Sequence, residues 1–204
     1  MTTKVNILFD GGFFVRKFKE RESRSPVASD IQKEVEKIIE LVKAKTNGET
    51  KDILFRVFYY DCNPYGGKIK IPKVVDGKTE EKEVDFSQTK EYEKQKHFLE
   101  DIGKLEQFAL RLGELSFNGF VQDKHNPKKI KPNFQQKGVD MKVGLDMAEM
   151  ANKHLVHKIV LVAGDSDFVS LMKYVRKEGI QVYLYSMGHK IKYKLKEHSD
   201  FILS

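Results

Sequence analysis

The chain has a single cysteine, Cys62, among its 204 residues. A disulfide framework and a cysteine-ligated zinc site within one copy are therefore excluded. Next to Asp61, Cys62 reads as a small residue near a strand end, not as a nucleophile. Long apolar runs are also missing, so nothing in the sequence crosses a membrane as a helix. The N-terminus enters a core strand directly, without the pattern of a secretory signal, and a cytoplasmic location is expected. The six histidines show no metal-ligand spacing and are expected at the surface. No internal repeat and no flexible linker divides the chain. One α/β domain spanning residues 1–204, with an elaboration over 62–136, is the expected organisation.

Negative charge is the scarcer sign. Lys and Arg number 37 against 30 Asp and Glu, a formal net charge of +7, and the sequence pI is about 9.2. This balance favours an anionic partner, with nucleic acid first in line. A solvated lysine-rich surface has the same composition. The basic residues cluster in KHNPKKIKPNFQQK, Lys124 to Lys137, and in HKIKYKLK, His189 to Lys196. Lys190, Lys192 and Lys194 of the second cluster are candidate contacts to a phosphate backbone.

Against this basic background, a few acids stand at special places. In KIVLVAGDSDFVSLMKYVRKEGIQVYLYS, Lys158 to Ser186, an apolar run ends at Gly164 and two carboxylates follow, Asp165 and Asp167. A helix pattern and a second apolar run, Ile180 to Tyr185, come next. The order is strand, acidic turn, helix, strand. Open α/β sheets bind ligands at the carboxyl ends of such strands. Two acids on one tight turn repel each other, and a divalent cation would compensate. The start of the chain has the same form: Val5 to Phe9, then Asp10-Gly11-Gly12. An acid after one strand is often only a turn former or helix cap. A third strand, Ile53 to Tyr60, ends at Asp61.

The remaining pattern predicts a helix over Asp30 to Lys45, capped by Ser29 or Asp30. Lys68 to Asp85 is expected to be a hairpin turning at Asp76-Gly77. A long charged helix is expected over Gln88 to Leu115, a short strand over Phe117 to Gln122, and a basic loop over Lys124 to Gln136. Val139 to His154 reads as a helix. On it, Asp140 and Asp146 point about 120° apart, so both cannot aim at one small site. Asp140 opens the helix, where capping and metal binding explain it equally well. Asp146 is expected to support the site or lie at the surface. Asp200 to Leu203 is expected to be a closing strand.

Four stretches resemble one known family. ILFDGG is similar to the first-strand motif of NYN domains, a branch of the PIN-like nuclease superfamily, here in its bacterial LabA-like form. KGVDMKVGLDMAEMA resembles the family's helix motif, with Lys137 and Asp140. LVAGDSDFVSLM resembles its GDSDF signature, with Asp165 and Asp167, and HSDFILS its closing strand. The resemblance implies a Rossmann-like, mostly parallel sheet flanked by helices. It implies metal-dependent ribonuclease activity, with Mg²⁺ or Mn²⁺ held by Asp10, Asp140, Asp165 and Asp167; Asp61, at a third strand end, is a further candidate ligand beside them. The products would carry 3′-hydroxyl and 5′-phosphate ends. Lys137 would meet a phosphate at the mouth of the site. RNA is the expected partner, with DNA and a homodimer left open.

One departure is Phe13, where many relatives carry Asn. It gives the alternative reading its ground: an RNA-binding or regulatory module with a vestigial site. A phosphatase of the haloacid dehalogenase type fits poorly, because that class places a second acid two residues after the first, and Gly12 stands there.

Overall fold

The computed structural model describes residues 2–75, 78–122 and 130–204. The chain opens with β1 (Thr2–Asp10), followed by α1 (Gly11–Glu22), α2 (Ala28–Lys45) and β2 (Lys51–Cys62). A hairpin of β3 (Lys68–Val75) and β4 (Lys78–Asp85) precedes a 3-10 turn (Phe86–Gln88) and α3 (Lys90–Gly103). Then come β5 (Phe108–Gln122), β6 (Ile130–Lys137) and α4 (Val139–Asn152). The last part holds β7 (Lys158–Val162), a 3-10 turn (Ser166–Phe168), α5 (Val169–Lys177), β8 (Gln181–Tyr185), α6 (Tyr193–Glu197) and β9 (Phe201–Leu203).

Seven strands form one sheet in the order β6-β5-β2-β1-β7-β8-β9, and β3 pairs only with β4. All neighbours in the sheet run parallel except β5 and β6. Both faces are covered, and the strands alternate accordingly. Val5, Ile7 and Phe9 of β1, with Val57 and Tyr59 of β2, pack under α1, α2 and α3. Leu8, Phe58 and Tyr60 face the other way, with Ile159 and Leu161, against α4 and α5. This is the mostly parallel α/β sheet that the resemblance implied.

The chain lays down β1, β2, β5 and β6 on one side, then returns to place β7, β8 and β9 on the other. The reversal falls between β1 and β7. Such a switch point opens a crevice outside the carboxyl ends of the strands. At the opposite edge a buried ion pair fixes the strand starts. Lys158 Nζ donates to Asp52 at 2.5 Å and to Thr50 at 3.1 Å, and the Thr3 hydroxyl donates to the same Asp52 carboxylate.

The middle of the chain departs from the sequence reading. The helix expected over Gln88 to Leu115 stops at Gly103. Phe108 to Leu115 belongs instead to β5, parallel to β2. The apolar spacing there also suits a strand: Phe108, Leu110 and Leu112 pack on one face, Ala109 and Leu115 on the other. Period two competes with period 3.6 over so short a run, and the open edge of β2 decides it. The expected basic loop is in part strand β6, antiparallel to β5. Its first part, Lys124 to Lys129, lies outside the described residues, as does the expected Asp76-Gly77 turn. Helix α2 starts before the expected cap. Val27 holds the cap position, and Asp30, three residues on, accepts from its N–H at 2.9 Å.

Candidate active site

Asp10 ends β1 and caps α1: its Oδ1 accepts from the Phe13 N–H at 3.0 Å. Gly11 follows because nothing larger fits. A Cβ there would stand 2.6 Å from the Tyr60 carbonyl oxygen and 2.9 Å from the Tyr59 ring. The Tyr59 hydroxyl is buried and has no hydrogen-bond partner among the described residues.

Strand register brings the other acids to the same edge. Asp10 pairs with Tyr60 of β2, so Asp61 is the next residue along. Phe9 pairs with Val162 of β7, so Asp165 lies just past that strand's end. Asp165 Oδ1 accepts from the Asp167 N–H at 3.1 Å and so caps the 3-10 turn. Asp140 is in the first turn of α4 behind a glycine cap, Gly138, at φ +78°. The cap position is therefore already filled, and Asp140 itself caps nothing.

Burial raises the Asp10 carboxyl above its ordinary range. The Phe13 N–H and Arg16 oppose the shift, while the charges of Asp140 and Asp165 add to it. Asp61, 6% exposed, is pushed up to about 6, mainly by burial. It accepts from the Cys62 N–H at 2.7 Å and from Gln95 Nε2 at 3.1 Å, while Asp10 pushes it further up. The edge thus places Asp10 in the field of both Asp140 and Asp165, and Asp61 in the field of Asp10. Asp167 is exposed on the same turn as Asp165. Among the described residues, no three acid, imidazole or thiol side chains stand close enough to hold a metal ion.

Asp146 is not part of this group. It accepts from the Tyr60 hydroxyl at 2.9 Å and from Arg111 Nε at 2.8 Å, which ties α4 to β2 and β5. Lys137 ends β6, paired with Glu114 at the same sheet edge. Lys192 Nζ lies 3.5 Å from the Ser166 hydroxyl. Lys194 is on α6, which packs on the 3-10 turn behind Asp165, and Lys190 is exposed in the segment before it.

Three residues at this edge carry no signal in the sequence. Arg16 reaches the field of Asp10 only because residues 11–22 are helical. Gln95 touches Asp61 from α3. Gln136 approaches Gly12, whose Cβ would stand 3.9 Å from its Nε2.

The family model for the NYN domain matches residues 78–204, well over half of the chain. The chain belongs to the NYN domain family. The family is PIN-like and nuclease-related, and nuclease domains of this kind act on nucleic acid and generally use divalent metals. In this NYN chain the matched stretch contains Asp140, Asp165 and Asp167. Asp10 and Asp61 precede it, on strands of the same sheet. No curated protein matches the chain. A solved structure of a protein of unknown function from Vibrio parahaemolyticus is similar at 15% identity and a TM-score of 0.49, covering 98% of this chain and 91% of that one.

Proposed function

We propose that this NYN chain is a metal-dependent ribonuclease of the cytoplasm, with residues 1–204 working as one domain. The observation that carries the reading is the placement of Asp10 at the switch point of a parallel sheet, in the field of both Asp140 and Asp165. A fold does not need these carboxylates there, and a divalent cation would neutralise them.

The donor set fits such an ion in chemistry. It is all carboxylate, the hard oxygen that Mg²⁺ and Mn²⁺ take. Mg²⁺ keeps several waters and needs only one or two direct carboxylates, so a site without three converging side chains suits it. Asp10 and Asp165 each commit one oxygen to a cap and keep the other. Asp140, Asp167 and Asp61 would act on the ion through its waters. The bound ion would activate water and offset charge on the scissile phosphate. Arg16, Lys137, Lys190, Lys192 and Lys194 would hold the phosphate backbone across the acidic edge.

A binding module with a vestigial site is the second reading. Phe13 favours it: the ring is buried at 5% exposure, so this position offers the site no polar group.

Cleavage of labelled single-stranded RNA and DNA, with Mg²⁺, Mn²⁺ or EDTA, separates the two. The expected result is metal-dependent cutting of RNA that falls at least 100-fold in Asp165→Asn, about the loss of one key electrostatic group. Undiminished cutting by Asp165→Asn would defeat the site assignment. RNA binding without cutting by the wild type would favour the module.

A further inference from the structure

Beside the acidic edge is a second cleft, of about 420 Å³, that includes Asp61 and Gln95 in its wall. A cleft of about 500 Å³ on the Asp10 side, lined by Gly11, Gly12 and Arg16, shares the same two residues. The two spaces therefore meet at Asp61.

One wall of the second cleft is a cluster of aromatic rings. Tyr65, Phe86 and Phe134 line it, with ring centroids 5.1 to 5.8 Å apart. They come from three separate elements: the loop after β2, the 3-10 turn after β4, and β6. All three rings are half-buried, so each keeps part of its surface toward the opening. Thr89 and Glu91 add polar groups at the start of α3. Gln136 lines the cleft with Gln95 and Asp61, and its side-chain amide has no hydrogen-bond partner among the described residues.

We infer that this cleft seats one unpaired nucleobase of a single strand whose backbone crosses the acidic edge. The inference rests on the nuclease reading and names its substrate class. The volume lies within the roughly 300–1,000 Å³ of small-molecule sites, and an apolar wall with a few polar groups is their usual lining. Aromatic faces hold any base by stacking, and the free amide of Gln136 can donate to and accept from a base edge. A base in a duplex is stacked and paired, so it does not enter without being extruded. The strand supplies the occupant's charge: the chain carries +7, while the pocket itself offers no cation to a phosphate. The elaboration over residues 62–136 thereby gains a task, because it supplies all three rings.

The test is binding in EDTA, so that no cutting intervenes. A short single-stranded RNA is compared with a strand of the same sugar-phosphate backbone without bases. The expected result is a loss of about tenfold or more on removing the bases, from stacking of one base. In Phe134→Leu, which keeps apolar bulk but no aromatic face, the two strands should bind within about twofold of each other. Tyr65→Leu is the second variant, and thermal unfolding confirms that both fold. Wild-type protein that binds both strands equally overturns the pocket and leaves the nuclease reading standing. Full base dependence in both folded variants also overturns it. No binding to any strand, with no cutting in metal, removes the nuclease reading and the pocket together.

Discussion

Burial holds the Asp61 carboxyl at a pKa of about 6, and the neighbouring Asp10 charge adds to the shift. An unfolded aspartate titrates near 3.9. Between these two values the folded chain keeps a proton that the unfolded chain has shed. Folding stability must therefore fall as pH rises through about 4 to 6, by on the order of 2–3 kcal/mol when no cation is bound. Asp61→Asn removes the charge and keeps an oxygen for the Cys62 N–H. In EDTA it should raise unfolding free energy at pH 7.5 by on the order of 1–2 kcal/mol, and change it little at pH 4.5. Urea denaturation at the two pH values measures this. An equal effect at both would mean that the Asp61 charge is not the cause. The same reasoning applies in the other direction to the buried Lys158–Asp52 pair. There, losing one partner leaves an uncompensated charge, and Lys158→Met should cost about 3–5 kcal/mol, read from the same denaturation curves.

At the scale of elements, the acidic turn after β7 is built against α1. A Cβ on Gly164 would stand 2.5 Å from Cε2 of Phe13. That ring belongs to the core under α1 and α2 and has little room to move. Gly164→Ala should destabilise the chain by about 1–3 kcal/mol through overpacking. Combined with Phe13→Leu, part of that cost should be recovered, a non-additivity that a double-mutant cycle detects. Strictly additive costs would show that the two elements do not press on each other. This contact also explains what was legible. Asp10, Asp61 and Asp165 end short apolar runs, so their place at strand ends could be read directly. Helix α1 could not, because Asp10-Gly11-Gly12 reads as a turn until the capping bond to Phe13 N–H is seen. Phe108 to Leu115 fits both periods, and only the exposed edge of β2 makes it a strand. Tyr65, Phe86 and Phe134 are far apart in sequence; the β3–β4 hairpin brings Phe86 to Tyr65, and the β5–β6 pairing places Phe134 against both.

Across the whole molecule, charge is arranged in opposition. The chain carries +7 overall, yet one sheet edge gathers carboxylates that repel each other. A basic protein has no general attraction for cations, so a rise in stability with Mg²⁺ or Mn²⁺ must come from a local site. Binding to the folded state alone adds about 2.7 kcal/mol at a hundred times the dissociation constant. For a chain of this size that is a rise in melting temperature of about 5–10 °C. The rise should saturate with added cation and be absent with KCl at equal ionic strength, because screening acts on every surface charge alike. In Asp10→Asn and Asp165→Asn it should shrink to a small fraction. In Asp146→Asn it should persist, because Asp146 is engaged by Tyr60 and Arg111 away from the acidic edge. Differential scanning calorimetry of the four proteins reads all of this without any nuclease assay. A rise that survives in both edge variants would place the cation elsewhere on the molecule. Its loss in Asp146→Asn as well would mean that the position of α4, and not the carboxylates alone, sets the affinity.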